Sequence, residues 1–276
     1  MPREVRYLTD RFGILELNGR KPLYQSHSLK VRTKDLLAEL FPLLGKSKMS
    51  LFESRMQDLW WERIGKKGKP RGLVQGITRE ELDVALVEFK RSFRSDPKSA
   101  SRELYFSLAQ AQLNGESVTY FADSTPTNIL NAHHIYNLFP ESKFINMVRD
   151  GRDTALSVTK EPWGPNDPIA ALDWWKGRIL AGHSALAQIP ESSHMSLNLE
   201  DLVIHNRQVS YQSLLTFLNL GPSATLEKYF QEQVEAAKMK TGSWRQEVKD
   251  ASQFDAKYSK ILRELADQGV EIKKFY

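Results

Sequence analysis

Val118-Thr119-Tyr120-Phe121-Ala122-Asp123 opens, and Val148-Arg149-Asp150-Gly151-Arg152-Asp153-Thr154-Ala155-Leu156-Ser157 closes, the stretch 118–157 on which the fold turns. The opening run is β-branched and aromatic and breaks at Asp123-Ser124-Thr125-Pro126, the pattern of a strand entering a polar turn. Ile129, Ala132, Ile135 and Leu138-Phe139 then fall on one helical stripe that Pro140 stops. Lys143-Phe144-Ile145-Asn146-Met147-Val148 is short and apolar enough for a buried strand, and a tight turn leads from it into a second helix. Strand, helix, strand, helix in this order predicts an α/β fold with a parallel sheet. Ligands of such sheets bind at the carboxyl ends of the strands.

That edge carries Arg149, Gly151 and Arg152. A planar guanidinium leaving a strand can grip a phosphate or sulfate through two parallel hydrogen bonds. Ser157, eight residues on in the early part of the next helix, can add a hydroxyl, and the helix start adds backbone N–H groups and a favourable dipole. The same residues allow a plainer arrangement, in which Arg149 and Asp150 only pair with their neighbours.

Phe139-Pro140-Glu141-Ser142-Lys143-Phe144-Ile145-Asn146-Met147-Val148-Arg149-Asp150-Gly151-Arg152-Asp153, with Ser157 behind it, resembles the 3′-phosphate-binding segment of sulfotransferases that use 3′-phosphoadenosine 5′-phosphosulfate (PAPS). The likeness is closest to the bacterial and tyrosylprotein sulfotransferases. It continues, in order, through Asp123-Ser124-Thr125-Pro126, Trp163-Gly164-Pro165, Trp174-Trp175, Leu199-Glu200-Asp201-Leu202 with Leu214-Leu215-Thr216-Phe217-Leu218, and Gly242-Ser243-Trp244-Arg245. The resemblance implies a P-loop-NTPase-like parallel sheet flanked by helices, with a helical cap. It also implies that PAPS is the co-substrate, held by Arg149 and Ser157 with Lys240, Ser243 and Arg245 completing the grip, and that no metal takes part.

One departure stands against these matches. The family's Gly-x-x-Arg-Ser-Gly-Thr-[Ser/Thr] loop, which holds the 5′-phosphosulfate, has no counterpart, so the first strand and phosphate loop are expected to be missing. Gly65-Lys66-Lys67-Gly68-Lys69-Pro70-Arg71-Gly72 lacks the hydroxyl residues, follows no β run and contains Pro70, and reads as a solvated basic loop. Met1-Pro2-Arg3-Glu4-Val5-Arg6-Tyr7-Leu8 resembles the family segment that follows the loop and its helix. By that match Glu4 is the general base toward the acceptor hydroxyl, or else part of a frayed terminus, and Arg6, Asp123 and Thr125 face the substrate. Ser124 stands where tyrosylprotein sulfotransferases carry a lysine.

The expected organisation is a single domain over 1–276: about 30–115 a helical cap on the substrate side, 116–248 the PAPS-binding core, and 249–276 a C-terminal helix. With 41% hydrophobic residues the chain can bury a large core. A net charge of +5 suits an anionic cofactor or acidic substrate and falls short of a dedicated nucleic-acid binder. Having no cysteine, it has no disulfide or thiolate metal site. With no apolar run long enough to span a membrane and no signal peptide before residue 1, it is expected to be cytoplasmic, unless an N-terminal segment carries a targeting signal.

Elsewhere Phe12–Asn18 reads as helix or strand, and Lys34–Leu44 as a helix. Thr78 and Glu81 form a capping box ahead of Leu82, Leu86, Phe89 and Phe93, and a further helix carries Leu104, Leu108 and Ala111. Asp167-Pro168 opens a helix on which Trp175 takes a core position, leaving the Trp174-Trp175 pair as a stacking platform for adenine the weaker alternative. His194–Leu199 is a third strand, Glu200-Asp201 cap or pair locally, and helices follow around Tyr211–Leu218 and Tyr258–Leu265. His133 and His134, adjacent on a helix, point about 100° apart and cannot share a metal face. The function implied is in-line transfer of a sulfuryl group from PAPS to a hydroxyl or amine on a small molecule, glycan, lipid or peptide. The alternative is a non-catalytic relative that binds nucleotide weakly or acts as a scaffold.

Overall fold

The computed structural model describes residues 5–23, 47–64, 68, 70–113, 115–116 and 118–276. These fall into two compact units, one holding the described residues up to 142 and the other residues 143–276. Glu4 and the expected helix over Lys34–Leu44 lie outside the described residues.

The first unit is helical. Short helices α1 (Arg6–Thr9) and α2 (Ile14–Leu17) lead to α3 (Lys48–Gln57) and a two-residue antiparallel ladder of β1 (Arg63–Ile64) with β2 (Pro70–Arg71). β1 and β2 are antiparallel partners on either side of Gly68, whereas a phosphate loop would run from a strand into a helix. A hairpin of α4 (Arg79–Phe93) and α5 (Pro97–Ala111) follows, then α6 (Ala132–Leu138). Leu82, Leu86 and Phe89 of α4 face Leu104 and Leu108 of α5 in the core, as their spacing requires. Phe52 joins them, with its ring 5.4 Å from that of Phe89.

The capping box forms as the sequence predicts: the Glu81 N–H donates to Thr78 Oγ1 at 3.2 Å and the Thr78 N–H to Glu81 Oε2 at 2.7 Å. Thr78→Ala removes the acceptor for an orphan amide at the first turn. It is expected to cost about 1 kcal/mol in chemical denaturation, with the helical signal otherwise intact.

One expectation fails here. Residues 118–123 form no strand: they join no ladder, and Val118 and Tyr120 lie exposed. β-branched and aromatic residues favour extended backbone, but a strand also needs a hydrogen-bonded neighbour.

The second unit contains the parallel pair. β3 (Phe144–Val148) and β4 (His194–Asn198) run in register from Phe144↔His194 to Val148↔Asn198. Between them come α7 (Gly151–Val158) and α8 (Pro168–Leu186), so the crossover is helical, as parallel strands require. α7 ends before Pro162, which has no N–H to continue a helix. A π-helical turn (Asp201–His205) and helices α9 (Arg207–Phe217), α10 (Ala224–Gln233), α11 (Trp244–Glu247) and α12 (Ala251–Ala266) complete the unit.

Trp175 sits in the core with Leu172, Trp244, Phe254, Tyr258, Ile261 and Leu265. Leu197, Tyr211, Leu215 and Phe230 form a second cluster, with Tyr211 stacked on Phe230 at 4.3 Å. Residue 151 must be glycine: a Cβ there would lie 2.6 Å from Tyr258 and 2.8 Å from Trp175. Among the described residues no helix is long and apolar enough to cross a membrane.

Candidate functional site

Arg149 follows the last residue of β3, and α7 begins two residues later. The turn between them is held by buried polar contacts. The Asp150 N–H donates to Glu200 Oε1 at 2.9 Å, the Gly151 N–H to the Tyr258 hydroxyl at 3.4 Å, and the Arg152 N–H to Asp150 Oδ1 at 2.9 Å. Three of the backbone amides expected to greet an anion are thus already engaged. A buried helix start must satisfy its donors, and this one gives three of them to protein groups. Any anion held at Arg149 relies on side chains.

The two arginines of the turn divide the work. Arg152 is buried, with its Nε and Nη2 on Asp150 at 3.0 and 2.7 Å. Its Nη1 reaches Asp255 at 2.5 Å and its Nη2 the Tyr276 carbonyl at 2.7 Å, while the rings of Trp244, Tyr258 and Tyr276 surround its head. Arg152 and Asp150 therefore follow the plainer arrangement. Arg149 differs: it donates to the Lys240 carbonyl and reaches Asp153 only at 4.0 Å, and its Nε is buried with no acceptor. It keeps an unused donor where the strand ends.

Asp153, which the sequence reading passed over, ties the late loop to this turn. Its carboxylate accepts the Gly242 N–H at 3.0 and 3.1 Å and the Tyr276 hydroxyl at 2.8 Å. Gly242 has a left-handed φ of 69°, which a side chain would strain. Burial first, then the hydrogen bond to Asp153, raises the Tyr276 hydroxyl well above the usual tyrosine value. An acid in the first turn of a helix was visible in the sequence, but its partner 89 residues away was not.

The loop so placed carries Lys240, Ser243 and Arg245. Lys240 and Arg245 are exposed, Ser243 is half-buried, and the Arg245 guanidinium lies 4.5 Å from the centre of the Trp244 ring. Ser157 is exposed and sits one turn beyond Asp153, in the last turn of the eight-residue helix α7 rather than its early part. The structure brings Arg149 together with the 240–245 loop through Asp153 and the Lys240 carbonyl.

Glu200 is a second correction. It neither caps nor pairs locally: it is fully buried and fixes the amide of Asp150, 50 residues away, while its Oε2 has no partner. Burial raises its carboxyl above the ordinary glutamate value. A folded-state value above the unfolded one means that Glu200 supports the fold at low pH and loses that support as pH rises through the folded value. Glu200→Gln keeps an acceptor for the Asp150 N–H and removes the buried charge. The variant is expected to be more stable than the parent at pH 7 by about 1 kcal/mol. The gain should disappear toward about pH 4, where the parent carboxyl is protonated. Melting curves across that range check it.

In the first unit, Asp123 Oδ1 accepts the Val5 N–H at 3.0 Å, the Thr125 N–H at 2.9 Å and the Thr125 hydroxyl at 2.7 Å, and its Oδ2 takes Asn128 Nδ2 at 2.8 Å. Asp123 and buried Thr125 thus shape their own turn. Arg6 is partly exposed and pairs with Asp10 at 3.4 Å.

The model of the sulfotransferase family matches residues 45–224. Protein-tyrosine sulfotransferase 2 of Gallus gallus is 28% identical over 171 residues, which cover 60% of this chain and 41% of that protein. Protein-tyrosine sulfotransferase 1 of Danio rerio is 26% identical over 165 residues, covering 58% of this chain and 41% of that protein. The chain thus matches 41% of the length of either relative. The solved sulfotransferase domain from the curacin biosynthetic pathway aligns over 98% of this chain and 96% of its own, at 15% identity and a TM-score of 0.43.

Proposed function

Given that the chain belongs to the sulfotransferase family, matched over residues 45–224, we propose that it takes part in sulfuryl transfer from PAPS to a hydroxyl, with a protein tyrosine as the favoured acceptor. The single observation that carries the donor half is Arg149. It leaves β3 with a buried, unused Nε–H, while Arg152 beside it is fully consumed by Asp150 and Asp255. An arginine with spare donors at the carboxyl end of a parallel strand fits a tetrahedral oxyanion.

PAPS supplies a sulfuryl group activated by its anhydride bond to the 5′-phosphate. Arg149 binds the 3′-phosphate through paired N–H donors, and the Ser157 hydroxyl adds one more. Lys240 and Arg245 contribute positive charge from the late loop, and Ser243 a second hydroxyl. Together they favour a nucleotide phosphorylated at the 3′ position over one without it. Such positioning and electrostatic grip are what group transfer of this type draws on.

Acceptor roles rest on the family resemblance and on the names of the relatives. Glu4 takes the proton of the acceptor hydroxyl as its oxygen bonds to sulfur and the sulfur–oxygen bond to the 5′-phosphate breaks, releasing adenosine 3′,5′-bisphosphate. Arg6 offers a charged head to an acidic peptide. Asp123 and Thr125 hold the turn next to Val5 in shape, and touch substrate only through that turn. Hydroxyls on phenols, sugars and lipids compete with tyrosine as acceptors, and the relatives' names favour tyrosine.

The test is incubation with PAPS and paired peptides that differ only in Tyr against Phe, followed by mass spectrometry. Gain of one sulfuryl group on the tyrosine peptide alone is expected. Sulfation of sugars or lipids in preference would overturn the acceptor. Binding of adenosine 3′,5′-bisphosphate without transfer to any acceptor would leave a nucleotide-binding relative in place of an enzyme.

A further inference from the structure

Charged side chains along α8 are neutralised by the helix packed against it: Lys257 meets Asp173 at 2.7 Å and Lys176 meets Glu264 at 2.6 Å. Arg178 is the exception. Among the described residues no carboxylate acts on it, and burial without an opposing charge lowers its guanidinium to about 10. It lies over the ring of Trp174, 5.2 Å from the ring centre, one helical turn away. Trp174 in turn meets Trp163 at 5.8 Å with the rings tilted by 44°, and Trp163 is 41% exposed. The indole Nε1 of Trp174 is buried and donates to nothing.

A buried indole N–H without an acceptor, beside a guanidinium that no carboxylate neutralises and an open aromatic face, is not what core packing alone leaves behind. Buried donors are as a rule satisfied, and an exception calls for a partner. The partner must bring acceptors for a guanidinium and an indole N–H, and a flat apolar surface for Trp163. We infer that Trp163, Trp174 and Arg178 form a second ligand site, which binds an aromatic ring carrying a sulfate group. Arg178 and the Trp174 N–H take the sulfate oxygens, and the exposed ring of Trp163 stacks on the aryl group.

The site is separate from Arg149 along the chain of the same unit. Arg149 precedes α7, whereas Trp163 follows its end, where Gly164 packs against the Val158 carbonyl. The choice of sulfate rests on the sulfuryl-transfer reading; the pairing of a ring with an oxyanion does not. In a transferase acting on tyrosine, such a site retains a peptide already sulfated while a neighbouring tyrosine is presented.

Calorimetric titration of the full chain with N-acetyl-O-sulfotyrosine amide, N-acetyltyrosine amide, phosphotyrosine and inorganic sulfate tests this. The sulfated aryl ligand is expected to bind, and the unsulfated amide and free sulfate to bind at least tenfold more weakly. Arg178→Gln and Trp163→Ala should each weaken the aryl sulfate at least tenfold and leave the affinity for adenosine 3′,5′-bisphosphate unchanged. The Trp174 indole N–H resonance, assigned by its loss in Trp174→Phe, should shift on binding.

Equal affinity in Arg178→Gln would overturn the site and leave a cation resting on an indole. Loss of aryl sulfate binding in Arg149→Ala would also overturn it, by moving the ligand to the other arginine. Tighter binding of phosphotyrosine would overturn the assignment of sulfate. Retained aryl sulfate binding in a protein that ignores adenosine 3′,5′-bisphosphate would sink the donor assignment and support this one.

Discussion

Arg152→Met is expected to destabilise the protein by about 3–5 kcal/mol, because it strips a buried carboxylate of its partner. Asp150 is 1% exposed and its two oxygens face the Arg152 Nε and Nη2, so methionine leaves a charge with no water to replace the guanidinium. The same substitution leaves Asp255 with Lys274 alone, frees the Tyr276 carbonyl and removes the guanidinium from among three aromatic rings. Against a typical total of about 5–15 kcal/mol, this is a loss that urea unfolding resolves easily. Asp150→Asn in the same chain should restore part of it, since a neutral amide no longer needs the cation. A loss under about 1 kcal/mol, the level of an exposed pair, would mean that the guanidinium is not the structural tie described above.

Arg149→Ala should act in the opposite way, with little effect on stability and a large one on binding. Its side chain is 29% exposed, and its tie to Asp153 is a loose 4.0 Å, so folding depends on it weakly. Affinity for adenosine 3′,5′-bisphosphate is expected to fall by about 3 kcal/mol, the scale of charge-assisted hydrogen bonds to a phosphate. That corresponds to roughly a hundredfold in the dissociation constant. Arg149→Lys should recover the charge but not the paired geometry, and lie between the two. The two arginines, three positions apart in one turn, thus separate cleanly by experiment into one that holds the fold and one that holds ligand.

What could be read from the chain was local. The stop at Pro140, the apolar run Phe144–Val148, the Thr78–Glu81 box and the proline at the start of α8 each announce their element, because capping, periodicity and proline geometry act over a few residues. Residues 118–123 misled for the same reason: their propensity is local, but the partner that would make them a strand is not.

The site was legible in its residue types and hidden in its wiring. Arg149 stands where the sequence placed it. The consumption of the α7 amides by Glu200, Tyr258 and Asp150 depends on contacts up to 107 residues apart, as does the tie of Asp153 to Gly242. Pairing of Arg152 with Asp255 is likewise a long-range fact, and nothing in Arg-Asp-Gly-Arg distinguishes the buried arginine from the available one.

The most direct measurement is a four-way titration: adenosine 3′,5′-bisphosphate and adenosine 5′-phosphate, each against the parent chain and Arg149→Ala. The parent is expected to prefer the 3′-phosphorylated nucleotide by about a hundredfold, and the variant to lose most of that preference while melting at the same temperature. Equal affinity of the parent for both nucleotides, or a preference that survives the loss of Arg149, would contradict the placement of the 3′-phosphate at the end of β3.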